Sequence, residues 1–377
     1  LASSAASDVY KRQVPYTEAG YGFRQNIYKP KYDTQESIYA DLIDQVKEGI
    51  SLLNADKPAI EGDLFYNGDI DQWKKFGNSL LLRLGMRLSK VKPELAAATA
   101  KAAIEGGIMS EAKDMCRLKH IAGGRDEDKN PVALRFQKDN YIGQGKVKIS
   151  QTFMNHLQAT NDPRIAVFCS LKDGNADPSI QKGLPNGYDK NTISTNSDYT
   201  GKLEDYSNFN TNVILREDAP TLLLMPSESK LLQAEAALRN WVAGDPEALY
   251  KEAICLSMQE QKEAYGVSIS EKQVNDYLAQ NLFANAASQE EKLEVLGNEY
   301  WVTTFMNGYE SYANWRRCGY PKLTPTHYAG NESNGQIPRR LPYAIDEYTI
   351  NKANVEQAVQ QQGADNLNTR IWWDVAK

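Results

Sequence analysis

The sequence predicts a mostly α protein in which two helical blocks flank a loop-rich middle. Three observations carry that expectation. Apolar residues recur at helical spacing within 34–110, a second helical block fills 226–316, and the pattern between them breaks into short pieces separated by Gly, Pro, Asn and Asp. Residues 34–377 are accordingly read as one domain. Residues 1–33 form an atypical N-terminal segment without a signal-peptide pattern, expected to be truncated or partly artefactual, above all at Asp8 to Gln13.

From Thr34 to Asn54, residues Ile38, Leu42, Ile43, Val46, Ile50 and Leu53 fall three and four apart and trace one face of a helix, which Asp56-Lys57-Pro58 ends. A second face follows in Ile70, Trp73, Phe76, Leu80, Leu81, Leu84 and Leu88, with Asp69 or Asp71 as the start signal. After Pro93, an Ala-rich run from Glu94 to Glu105 stops at Gly106-Gly107. The short connections imply antiparallel packing. A further helix runs from Pro226 to Trp241 with Leu231, Ala234, Leu238 and Trp241 as its buried stripe. It breaks at Gly244-Asp245-Pro246 and resumes to Tyr265 before Gly266, giving one helix-turn-helix without a strict 34-residue period. Helices are also expected over Glu271–Leu282 and Gln289–Met306.

Loops dominate 118–218, and Asn186 to Asn212 is dense in Asn, Ser, Thr and Tyr. A loop of that length in a compact protein is functional or disordered. The 319–377 segment is also loop-rich, with Pro321, Pro325, Pro338 and Pro342, and its bulky Trp372-Trp373 is expected to dock on the body.

Composition narrows the function classes. The 43 Lys and Arg against 49 Asp and Glu give a net charge of -6 without a long basic block, so nucleic acid is not expected as a partner. Hydrophobic residues are 41% and no apolar stretch is long enough to span a bilayer. The 21 Tyr and 6 Trp against 9 Phe favour rings with a polar edge, suited to partly wet surfaces. Cys116, Cys169, Cys255 and Cys318 lie far apart without zinc-like spacing and are read as unpaired and buried.

Catalytic and metal motifs are largely missing. His120, His156 and His327 are out of helical reach of one another, and neither GxSxG nor GxxxxGK[ST] occurs. Gly143-Gln-Gly145 has only the first two glycines of a dinucleotide fingerprint. Asp173-Gly-Asn-Ala-Asp177 alternates like a calcium loop, yet Pro178 replaces the turn glycine and Leu184 the bidentate Glu. No cofactor or metal is therefore assigned. Glu228 and Glu235, seven apart on one face, are read as hydrogen-bonded groups locking a helix to its neighbour rather than as a hydrolytic pair.

Sugar binding needs flat aromatic faces together with amides, carboxylates or backbone groups that exchange hydrogen bonds with hydroxyls. The long loop supplies both. Tyr188, Tyr199, Tyr206 and Phe209 interleave with Asn186, Asp205, Asn208 and Asn210, and the ligand-binding set expected from this pattern is Tyr188, Tyr199, Tyr206, Phe209, Asn208 and Asn210. The alternative is an ordinary ordered loop, in which Asn and Tyr are also common.

Several strings together resemble the SusD/RagB family of outer-membrane nutrient-binding lipoproteins. They are Gly62 to Ser89 (GDLFYNGDIDQWKKFGNSLLLRLGMRLS), Thr160 to Phe168 (TNDPRIAVF), and Ala234 to Trp241 (AEAALRNW) with Glu228 ahead of it. To these are added Glu299-Tyr-Trp301, Tyr309-Glu310, Asn314 to Leu323 (NWRRCGYPKL), Ile337 to Glu347 (IPRRLPYAIDE) and Trp372 to Asp374 (WWD). The resemblance implies a mostly α, SusD-like fold of four irregular tetratricopeptide-like helix pairs with a loop-rich region packed on them. It implies non-catalytic binding of a glycan or other oligomeric nutrient, such as a peptide, at the cell surface. It also implies delivery to a SusC-like TonB-dependent outer-membrane transporter, with membrane attachment only through an N-terminal lipid anchor outside this sequence. The motif arginines Arg316, Arg317, Arg339 and Arg340 read as scaffold, serving buried carboxylates such as Glu310 or Glu347. Two other readings stay open: a helical glycan-degrading enzyme, and a helical-repeat scaffold whose ligands are proteins.

Overall fold

The structure is a computed structural model that describes residues 14–58, 60–138, 147–281 and 283–376. Three helices open the frame: α1 (Gln35–Leu52), α2 (Ile70–Arg87) and α3 (Pro93–Glu105). Thr34 caps α1 by accepting from the Ser37 amide at 3.2 Å, and Asp69 caps α2 by accepting from Asp71 and Gln72. The helices α2 and α3 approach closely because Gly85 faces Thr99, where a Cβ would come within 2.9 Å.

The loop-rich middle contains more helix than expected. It holds α4 (Pro131–Lys138) and α5 (Gln151–Ala159), with antiparallel pairs of short strands, β1 (Cys116–Leu118) with β4 (Thr221–Leu224) and β2 (Cys169–Ser170) with β3 (Asn208–Phe209). The second helical block follows as α6 (Pro226–Leu238), α7 (Pro246–Tyr265), α8 (Glu271–Gln280), α9 (Gln289–Thr303) and α10 (Gly308–Cys318). Gly266 ends α7 in the left-handed region at φ +76, and capping boxes start α8 at Ser270 and α9 at Ser288. The first of these blocks ends early: α6 stops at Leu238, and Asn240, at φ +60, turns the chain so that the Trp241 amide bonds back to Ala236. The 319–377 segment, read as loops, contains α11 (Lys352–Gln362). The Gly143–Gly145 pair and Leu282 lie outside the described residues.

Two large hydrophobic clusters result, beside a small one around Met109, Cys116 and Leu224. One joins α1–α3 and α6–α10 and includes Ile371 and Trp373, so the C-terminal tryptophan docks as expected, fully buried with the Arg87 and Arg316 guanidiniums 5.4 and 4.8 Å from its ring. The other lies under the middle region, where Phe153, Phe168, Ile214 and Leu215 pack together with Val302 of α9. The four cysteines are unpaired; Cys116, Cys169 and Cys318 are buried and Cys255 is partly so.

Buried ion pairs bolt the frame together. Arg83 forks onto Glu228 at 2.6 and 2.7 Å, Arg87 reaches Glu310 at 2.7 Å, and the Tyr300 hydroxyl lies 2.8 Å from both carboxylates. Arg317 forks onto Glu235 at 2.7 Å through both amino groups. Burial pushes the Glu235 carboxyl up, but the Arg317 and Arg239 guanidiniums outweigh it and hold the group down at about 2. Arg164 serves both Asp162 and Glu299 and donates to Ser257. Glu228 and Glu235 thus take the helix-locking role expected for them. The partners expected for the motif arginines are corrected: Glu310 is held by Arg87, while Glu347 accepts from Tyr32. Arg340 bonds the Asn366 carbonyl and Arg316 the Arg339 carbonyl. Two of these arginines therefore serve backbone at loop ends, for which helical spacing gives no cue.

Candidate functional site

The middle region and the C-terminal segment meet over one face of α9. The chain entering α5 is stitched to residues 183–186: Leu184 donates to the Ile149 carbonyl and Gln151 to the Leu184 carbonyl, both at 2.8 Å. Gly183 is required there, because a Cβ would sit 2.4 Å from the Gln151 Cα. Ser150 then donates to the Asn186 side chain at 3.0 Å. The following residues cross the C-terminal segment, with Gly187 against Thr326 and the Tyr328 hydroxyl donating to Asp189 at 2.9 Å. The far side of that segment is clamped where Tyr312 donates to the Pro338 carbonyl and Asn368 to the Ser333 carbonyl.

Between these loops lies a cleft of about 390 Å³. Trp301 of α9 forms its aromatic surface, half-buried and set edge-to-face on Phe153 at 4.9 Å, with His156 5.5 Å away. Burial lowers the His156 imidazole below its ordinary value, which disfavours the charged form of the ring beside Trp301. Around it stand Ser150, Thr152, Asn186, Asn331 and Gln336, with Pro325, Ile337 and Leu367 as apolar walls. The lining residues described here include no ionisable side chain. A ring with neutral amides and hydroxyls suits a neutral, hydroxyl-rich ligand. A larger hollow of about 570 Å³ lies between α5 and α8, but its aromatic residue, Tyr277, is buried with its hydroxyl bonded to Glu299.

The residues expected from the long loop occupy different positions. Tyr188 is exposed, between Gly187 and Asp189 at the crossing with Thr326 and Tyr328. Tyr199 is half-buried and stacks on Tyr206 at 5.9 Å with nearly parallel planes. Tyr206 is buried, and its hydroxyl donates to the Asp198 carbonyl while accepting from the Thr200 amide. Phe209 packs on Phe136 and Phe305, Asn208 pairs in β3, and Asn210 donates to the Ala166 carbonyl; both asparagines are buried. The loop is ordered by these contacts, and the six residues do not form one surface. Asp173 and Asn175 cap their own turns by accepting backbone N–H groups. Among the described residues no helix is long and apolar enough to cross a membrane, and no cluster of His, Cys, Asp or Glu is placed to hold a metal.

Sequence reasoning missed Trp301 as a site residue because it sits in the Glu299-Tyr-Trp301 string, which reads as scaffold. The available signal was angular. Tyr300 and Glu299 lie on the buried face of α9, so the next position turns about 100° away from Tyr300, toward the flank that the loops cover.

A family model described as "Starch-binding associating with outer membrane" matches residues 4–344. Among solved structures, a chitin-binding protein is 31% identical with a TM-score of 0.85, the match covering 100% of this chain and 79% of that one. A Bacteroidetes SusD-like protein is 27% identical with a TM-score of 0.81, covering 100% and 82%. A chitin-binding SusD homologue from Flavobacterium johnsoniae is 26% identical with a TM-score of 0.80, covering 99% and 78%. No curated protein matches. Nearly the whole chain is thus accounted for by one model and by helical structures of one kind, and it belongs to the SusD-like family of carbohydrate-binding proteins associated with the outer membrane.

Proposed function

We propose that this protein holds a glycan oligomer in the Trp301 cleft without transforming it and delivers it to a SusC-like TonB-dependent transporter at the cell surface. The observation that carries the reading is the cleft itself: an aromatic face at the meeting of two loops, rimmed by neutral amides and hydroxyls. Hydrolysis of a glycosidic bond uses two carboxyl groups converging on the bond. The deeply buried Glu228, Glu235, Glu299 and Glu310 are instead clamped by arginines. Exposed Tyr188 and half-buried Tyr199 are the tyrosines of the loop set with surface to offer, and we place them at the outer edge of the bound oligomer. Tyr206, Phe209, Asn208 and Asn210 act by ordering the loop that presents them.

Because two similar structures are titled as chitin-binding, chitohexaose is the first probe. Trp301→Ala is expected to weaken its binding by roughly 10- to 100-fold in calorimetry, as loss of a central aromatic anchor does, and Trp301→Phe by less. Unchanged affinity in Trp301→Ala would reject the site. New reducing ends after prolonged incubation would reject the non-catalytic role. Delivery predicts co-purification with a TonB-dependent transporter from native outer membranes.

A further inference from the structure

The Trp301 cleft continues past its own wall. Leu323, Pro325, Gln336 and Ile337 line it and also line a second hollow of about 240 Å³, whose far side is Trp315, Arg339, Asn368 and Arg370. The two compartments form one groove of unequal charge. The first has no ionisable lining residue among those described, whereas the second has two guanidiniums and no carboxylate in its lining.

Both guanidiniums share one acid. Arg370 Nη1 reaches Asp374 Oδ1 at 2.5 Å, and Arg339 Nη1 lies 3.3 and 3.4 Å from the two Asp374 oxygens. Asp374 is itself buried beneath them. Arg316 lies behind the wall, its Nη1 donating to the Arg339 carbonyl at 2.9 Å. Two guanidiniums over one carboxylate leave the Arg339–Arg370–Asp374 cluster with one net positive charge. The Arg339 guanidinium lies 4.3 Å over the Trp315 ring, a stack that fixes its plane and leaves its edge for in-plane donation. Nε and Nη2 of both Arg339 and Arg370 make no bond among the described residues, and Arg370 is exposed. A pre-oriented fork with uncommitted donors, next to a second exposed guanidinium, has the geometry that recognises a planar or tetrahedral oxyanion.

We propose that the Arg339–Arg370 end of the groove takes an acidic substituent of the glycan, a uronate carboxylate or a sulfate ester, while Trp301 stacks on a neutral residue of the same oligomer. This rests on the glycan reading of the Trp301 cleft and names the class of glycan that fills the whole groove.

Calorimetry with three hexasaccharides tests it: chitohexaose, which is neutral; hyaluronan, which alternates N-acetylglucosamine with glucuronate; and chondroitin sulfate, which carries both anions. The acidic oligomers are expected to bind about 10-fold more tightly than chitohexaose at low salt, with the margin shrinking at high salt. Arg370→Gln should remove most of that margin, and Arg339→Lys should not preserve it, because a point charge cannot replace the fork. Lys101→Gln, exposed on α3 and paired with Glu105, controls for net charge and should change nothing. Comparison of chondroitin sulfate with unsulfated chondroitin of the same length tells sulfate from carboxylate. Equal affinity for all three sugars, or an acidic margin untouched by Arg370→Gln, overturns this proposal while leaving the Trp301 reading intact, provided Trp301→Ala still weakens chitohexaose binding. Binding of acidic peptides with no binding of any oligosaccharide overturns both.

Discussion

Tyr300 and Trp301 are neighbours on α9, yet they belong to two regions governed by opposite rules. On the Tyr300 side, charges are buried in matched sets: Arg83 with Glu228, Arg87 with Glu310, Arg317 with Glu235. On the Trp301 side, the described surface is open, loop-built and uncharged until the groove reaches Arg339. The contrast shows where ionisable groups do structural work in this fold. Helices packed this closely exclude water, so an ionised carboxylate there needs a charged partner, which in these three sets is a guanidinium. A ligand-handling surface must exchange hydrogen bonds with water and hydroxyls, which neutral amides do without a desolvation penalty of that size.

The sharpest way to break the comparison is to leave a frame carboxylate alone. Arg164→Leu strands Asp162 and Glu299 in the interior and is expected to cost about 3–5 kcal/mol in urea unfolding. A loss below about 1 kcal/mol would mean that the interior pairs are not matched sets at all. Next comes Glu260, a buried carboxyl without an arginine, whose oxygens face the Ser227 amide and hydroxyl. Burial pushes it up to about 7 from an ordinary 4.5, more than the Ser227 contacts lower it. Its folded value lies above its unfolded one, so the protonated form is favoured in the fold, and stability is lost as pH rises from about 4.5 to about 7. Glu260→Gln should therefore stabilise the protein by roughly 2–3 kcal/mol at pH 8 and by much less at pH 4. A pH-independent effect would refute that assignment.

Two smaller effects sharpen the loop side. Tyr206→Phe removes the hydroxyl that joins the Asp198 carbonyl to the Thr200 amide, at an expected cost of about 1 kcal/mol, with weaker binding only insofar as the loop loosens. Tyr188→Ala should leave the melting temperature unchanged and weaken oligosaccharide binding by about 2- to 5-fold, the scale of a rim contact. Full affinity in Tyr188→Ala would confine the ligand to the Trp301 floor and the loops that touch it.

The frame was legible because its signals are local. Thr34, Asp69 and Gly266 mark helix ends through chemistry within one turn, and the three-and-four spacing of α1 and α2 is what closely packed helices require. The tail α11 was missed because Val355 and Ala358 are its only buried residues, too thin a stripe against four neighbouring prolines in the segment. The cleft was much less legible. Its lining is gathered from residues near 150, 186, 301 and 323–338, and no periodicity connects them. The Tyr and Asn density of 186–212 pointed to a ligand-binding loop, but composition cannot tell the ring that faces out, Tyr188, from the ring that holds the turn, Tyr206.

Gly187 sits where the two walls of the opening touch. With φ at +84 and Thr326 at 2.8 Å from any Cβ placed there, even an alanine would drive the crossing segments apart. A single hydrogen in place of a methyl group therefore sets how closely the two segments cross, and with it the position of Thr326 in the cleft wall.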